Sequence, residues 1–336
     1  MTRRLITRWA HTATALALAG ALLALGGCAP MTVTGAAPAD PPWADALFAA
    51  PARPPQAAEA LALSPAMRAY LPQLRAAGFD GTGPARALVD ALATRSGLRL
   101  EYEAQTTRTA AQAFDDRAGN CLSLVLMTAA FARELGVSVV FNEALVEAQW
   151  RREGGLVLRS GHVNLTLGTP VRRAGWRVGT DESLMVDFLP GVDLRGLRTR
   201  PIDERRVLAM YLNNRAAETL ATGDVAGAYW WVREALRQDG GYLAARNTLG
   251  VVYQRAGQVA LAGEVFEQLL ALQPDDGSAL GNLALVREAQ GRLADAAQLR
   301  ARRDALEPLA AQALRELSPA KLAWLKARKG TAPVVP

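Results

Sequence analysis

Between Asn120 and Arg133 the chain runs Cys-Leu-Ser-Leu-Val-Leu-Met-Thr-Ala-Ala-Phe-Ala without a charged side chain. A helix that is apolar on nearly every side belongs inside a domain. This one is shorter than the roughly 20 residues that cross a bilayer. Gly119 breaks the preceding segment and Asn120 has the side chain of an N-cap. Cys121 then falls in the first helical turn, where unpaired N–H groups and the helix dipole favour a thiolate. Upstream, Ser64-Pro65 opens a helix to about residue 77, and Pro84 opens another that ends near Gly97. Residues 98–103 alternate as a short strand, and 106–116 carry Ala110, Ala113 and Phe114 at helical spacing. Downstream, alternation predicts strands at 137–142, 144–150, 156–159, 162–167, 171–178 and 183–189, with turns at Gly154-Gly155, Gly168 and Gly175. Helices followed by a run of antiparallel strands make this half α+β.

From about Pro201 the period becomes helical and stays so. Gly223, Gly257 and Gly291 stand 34 residues apart, and Ala228, Ala262 and Ala296 repeat at the same step. Pro274 and Pro308 mark the ends of the second and third units. This pattern resembles the tetratricopeptide repeat, most closely in the second unit with Leu249-Gly250, Tyr253, Ala262, Phe266 and Pro274. The resemblance implies an all-α solenoid over 201–330, with repeats at about 209–242, 243–276 and 277–309 and a capping helix at 310–328. By the geometry of that family the first helix of each repeat lines a concave groove. Asn213, Asn214, Asn247 and Asn282 fall there, and their amides suit the backbone of an extended protein or peptide partner.

Composition changes the picture mainly at the N-terminus. Arg3, Arg4 and Arg8 precede an apolar run from Ala13 to Leu25, which ends in Leu25-Gly26-Gly27-Cys28. This is the pattern of a secretory signal over 1–27. The ending resembles the lipobox of bacterial lipoproteins, which implies that Cys28 is lipidated and anchors the chain in a membrane. Ala29 in place of an Asp implies the outer membrane, facing the periplasm. An ordinary signal or an uncleaved anchor is the alternative. Residues 28–62 are rich in Ala and Pro and read as an extended tether in which Trp43, Leu47 and Phe48 dock locally. Loss of 1–27 removes three arginines and no acid, so the formal charge falls from +6 to +3. No basic run with interleaved aromatics appears, so nucleic acid is not an expected partner.

Subtraction then isolates the candidate chemistry. The sequence holds two Cys and two His. With His11 removed and Cys28 acylated, one thiol, Cys121, and one imidazole, His162, remain. That excludes an internal disulfide and any metal site built from several Cys and His, and no cofactor is expected. A leftover cysteine in an exported protein flags a reactive thiol. His162, Asn164 and Thr166 share one face of their strand. Asp187 lies in the apolar segment Leu184-Met185-Val186-Asp187-Phe188, where a carboxylate needs a partner, and His162 is the natural one. Asp181, in a polar turn, is the fallback.

A Cys heading a buried helix, followed by a His and an Asp on successive strands, resembles the transglutaminase-like core of the papain-like cysteine enzymes. Gly-Asn-Cys-Leu-Ser-Leu and the later Ala-Arg-Glu-Leu-Gly-Val match that helix and the turn leaving it. The resemblance implies a transglutaminase-like domain over 63–200. In it Cys121 would be the nucleophile, His162 the base and acid, and Asp187 the group that orients the imidazole. The chain departs from the pattern at Asn164, where the family commonly has an aromatic, and at Trp176, which lies 11 residues before Asp187, further than the family's usual spacing. Gln105 and Asn120 are the candidates for an oxyanion-binding side chain. Two functions follow as expectations. One is a membrane-anchored cysteine protease or amide acyltransferase acting on a protein or peptide. The other is a non-catalytic scaffold lipoprotein whose repeats bind a partner in an envelope complex.

Overall fold

In the computed structural model, residues 39–77, 83–93, 98–153, 156–168, 183–188 and 198–315 are described. The expected leader, Cys28, the first part of the tether, Gly154-Gly155, the strand at 171–178 with Asp181, and the cap beyond Arg315 lie outside them. The described residues mix strands with a larger share of helix.

Two short helices, α1 (Pro65–Ala77) and α2 (Pro84–Ala93), precede a two-residue strand β1 (Glu101–Tyr102). Helix α3 (Ala110–Asp116) begins with a capping box between Thr109 and Gln112. It ends on Arg117 in the left-handed conformation, and the chain turns into β2 (Ala118–Gly119), which pairs in parallel with β1. Helix α4 (Cys121–Glu134) follows at once. Every residue from Leu122 to Ala132 is buried, as its unbroken apolar run requires. Gly136, at φ +70°, stops it: its N–H bonds the Arg133 carbonyl while that of Val137 returns to Ala132. That is the left-handed C-cap that glycine favours. Phe131 meets Phe114 and Tyr70 in an aromatic cluster beneath the helix.

The sheet is antiparallel, in the order β5 (Leu184–Val186), β4 (Leu156–Leu167), β3 (Val139–Glu153), β6 (Thr199–Ile202). The segments expected as separate strands at 137–142 and 144–150 are one strand. An irregularity in the register between Ala144 and Gln149 absorbs the break in alternation. Strand β6 was not legible from composition: Thr-Arg-Pro-Ile is short and contains a proline, which only a sheet edge tolerates. It spans the boundary expected at residue 200, so the sheet and the helices after it are joined through a paired strand.

Six helices follow among the described residues: α5 (Glu204–Ala221), α6 (Val225–Gln238), α7 (Leu243–Arg255), α8 (Val259–Leu272), α9 (Gly277–Ala289) and α10 (Leu293–Arg315). They form three successive hairpins, each packed on the next. The turns inside them place Gly223, Gly257 and Gly291 at positive φ, which explains the 34-residue spacing of these glycines. Ala228, Ala262 and Ala296 are fully buried where paired helices meet. A Cβ on Gly250 would come within 2.5 Å of the Phe266 ring, so α7 and α8 approach through a glycine. Pro308 does not end the last hairpin. Helix α10 runs through it to Arg315, carried by the Ala- and Leu-containing residues 309–314.

One hydrophobic core spans both halves, from Phe48 and Ala60 through α4 and the sheet to Phe266 and Val286. The stretch expected as an extended tether is therefore packed in its second part. Phe48 stacks on Tyr229 of α6 at 4.1 Å, the Trp230 indole donates to the Ala49 carbonyl, and Asp45 accepts from Tyr229 and Arg233. Among the described residues no helix is long and apolar enough to cross a membrane.

Candidate functional site

The parallel pairing of β1 with β2 fixes Gly119 immediately before the helix that carries Cys121. A side chain at 119 would meet the Ser123 Cβ at 2.7 Å, so only glycine fits. The Asn120 side chain caps α4 by accepting from the Ser123 N–H at 2.9 Å. Its amide nitrogen donates to the Thr107 hydroxyl at 2.8 Å. Its carbonyl oxygen and one of its two amide N–H groups are therefore engaged at the head of the helix, and the second N–H is the one left for the oxyanion-binding role expected of Asn120. Gln105, the other candidate, is exposed on the loop before α3. The Cys121 backbone N–H, in the unpaired first turn, is a further donor at the head of the helix.

Thr107 joins this helix to the first hairpin of the helical half. Its N–H donates to Glu218 at 2.7 Å, its carbonyl accepts from Arg215, and its hydroxyl accepts from both Asn120 and Asn214. The next residue's N–H donates to the Ser123 hydroxyl at 2.8 Å. The loop before α3 is thus clamped between α4 and α5, and it holds the cap of the cysteine-bearing turn.

Cys121, His162 and Asp187 come together. His162 lies on β4 and Asp187 directly after β5, the neighbouring strand. The His162 Nε2 is 2.7 Å from the Asp187 Oδ2, and their side chains are 7% and 2% exposed. This contact leaves Nδ1 as the ring nitrogen free to serve sulfur. Cys121, itself half-buried, acts on the same imidazole as a hydrogen-bond partner and as a charge. Burial disfavours a charged ring. The hydrogen bonds to Asp187 and Cys121 and the electrostatic attraction of the same groups outweigh it and push the His162 pKa up to about 9. Near neutral pH the imidazole is therefore cationic, the state in which it can pair with a thiolate and later release a proton.

A fourth side chain belongs to this cluster. Asn164 is fully buried two residues along β4, and its amide nitrogen donates to the same Asp187 Oδ2 at 3.1 Å. The alternation that places it beside His162 was visible in the sequence. Its bond to Asp187 was not, since the pairing of β5 with β4 decides it.

Of the four asparagines expected to line a peptide groove, three are buried and the fourth is half-buried and bonded within the chain. Asn213, Asn247 and Asn282 are buried, with Asn282 donating to Asn247 at 3.0 Å, and Asn214 is bonded to Thr107. Strand β4 packs against α7 and α9, the helices that carry Asn247 and Asn282. Sequence spacing located the helix positions but held no sign that a strand of the same chain lies against them. Among the described residues no group of three or more His, Cys, Asp or Glu is arranged to hold a metal ion.

Compared with models of protein families and with curated proteins, the chain matches none.

Proposed function

We propose that this chain is a cysteine acyl-transfer enzyme of the transglutaminase-like, papain-like kind, a hydrolase or acyltransferase acting on an amide or ester of a protein or peptide. The observation that carries the reading is the 2.7 Å contact of His162 with a buried Asp187, made by an imidazole that also interacts with Cys121. In this reading the Cys121 thiolate attacks the substrate carbonyl carbon, and the carbonyl oxygen takes the negative charge. The Cys121 N–H, at the positive end of α4, stabilises that oxygen. The His162 imidazolium gives its proton to the departing amine or alkoxide as the C–N or C–O bond breaks, leaving a thioester on Cys121. Water or an amine then attacks the thioester and passes a proton to His162. Collapse of the second intermediate restores the Cys121 thiolate and the imidazolium. Asp187 keeps the ring oriented and supports its positive charge.

The six C-terminal helices read as tetratricopeptide-like repeats. Cys28 reads as a lipid anchor that holds the enzyme at the outer membrane, facing the periplasm. Substrate recruitment by the four asparagines is not part of this reading, because Asn213, Asn247 and Asn282 are buried and Asn214 is bonded to Thr107. The direct test is formation of a thioester on Cys121 from an activated acyl donor.

A further inference from the structure

We infer that Asn164 is a positioning residue for Asp187: its amide holds the carboxylate where His162 needs it. The inference rests on the cysteine-nucleophile reading and extends it to a residue at which the chain departs from the family pattern.

Geometry carries it. Asn164 Nδ2 and His162 Nε2 reach the same oxygen, Asp187 Oδ2, at 3.1 and 2.7 Å. Two donors converging on one oxygen hold that oxygen in place more firmly than the imidazole alone. A carboxylate oxygen accepts only, so the Asn164 amide must turn its nitrogen toward Asp187. Its other contact there is a weak one, from the same nitrogen to the Met185 sulfur at 4.0 Å.

That orientation leaves the Asn164 Oδ1 buried without a hydrogen-bond partner. A buried carbonyl in this state costs roughly 1–3 kcal/mol. An apolar side chain of similar volume would remove that penalty and still fill the space. Asn164 is thus a poor choice for stability and a good one for placing Asp187.

The test is the titration of His162, followed by NMR with labelled histidine in the full chain and assigned by its absence in His162→Ala. Asn164→Leu removes the donor together with the unpartnered oxygen. The sign of the change discriminates. A donor that merely neighbours the carboxylate withdraws negative charge from His162, so its loss would leave the midpoint in place or raise it. A donor that holds the carboxylate lowers the midpoint when removed, because Asp187 then faces the ring for only part of the time. The expected result is a fall of about one pH unit from about 9. A midpoint that stays or rises in a folded variant overturns the inference. Asn164→Ala gives the same reading if leucine is too large to fold. Because the titration needs no turnover, it can succeed where acyl transfer fails, and the reverse.

Discussion

At the scale of single residues, the cluster joins groups that differ in how far the sequence announced them. Cys121 and His162 were legible by subtraction, and Asp187 by the cost of a carboxylate in an apolar strand. The capping role of Asn120 was legible from its place before the helix, whereas its bond to Thr107 lies across a loop that spacing cannot fold. The raised His162 pKa has a consequence for stability. The folded value of about 9 lies above the ordinary 6.5. A group raised in the folded state stabilises fully below its unfolded pKa and loses that contribution as pH climbs through the folded one. Unfolding free energy should therefore fall by a few kcal/mol between about pH 6.5 and pH 9. Denaturant unfolding across that range should show the decline in the native chain and a much flatter profile in His162→Ala.

At the scale of elements, the apolar run around Leu126 and the Gly136 stop made α4 legible almost to the residue, since burial and capping are both local in sequence. The approach to α4 is different, because the β1–β2 pair and the tight contact at Gly119 depend on a partner strand. Gly119→Ala tests that approach. Its Cβ would lie 2.7 Å from Ser123 Cβ, so the first turn must shift. Forced contacts of this kind typically cost about 1–3 kcal/mol. Thermal unfolding should show a loss in that range, and the loss of Cys121 reactivity should be larger than stability accounts for. Strand β6 and the passage of α10 through Pro308 were not legible, because an edge position and a favourable flanking run each overrode the residue that normally ends an element.

At the scale of the whole chain, the repeat of Gly223, Gly257 and Gly291 disclosed three helical hairpins, but not that they share a core with the sheet. Periodicity reports which face of an element is apolar and is silent on what covers it. Asn213, Asn247 and Asn282 illustrate this, since they stand on the expected helices and are nonetheless buried. The docked segment around Phe48 is a second case. Composition predicted a tether in which Phe48 docks locally; Phe48 does dock, but on Tyr229 and Tyr253 of the helical hairpins. Phe48→Ala should cost about 3–5 kcal/mol, the usual range for truncating a buried phenylalanine. A change under 1 kcal/mol in chemical denaturation would show that this stretch is not part of the core.

The central claim, that Cys121 works with His162 as an acyl-accepting nucleophile, is tested most directly by intact-mass measurement during incubation with p-nitrophenyl acetate near neutral pH. The native chain should take up one acetyl group on Cys121 at least about tenfold faster than free cysteine, in keeping with the usual scale of acid–base assistance. Cys121→Ala should lose that modification, and His162→Ala should slow it to the rate of an unassisted thiol. Acetylation of Cys121 no faster than free cysteine, or unchanged in His162→Ala, would contradict the account.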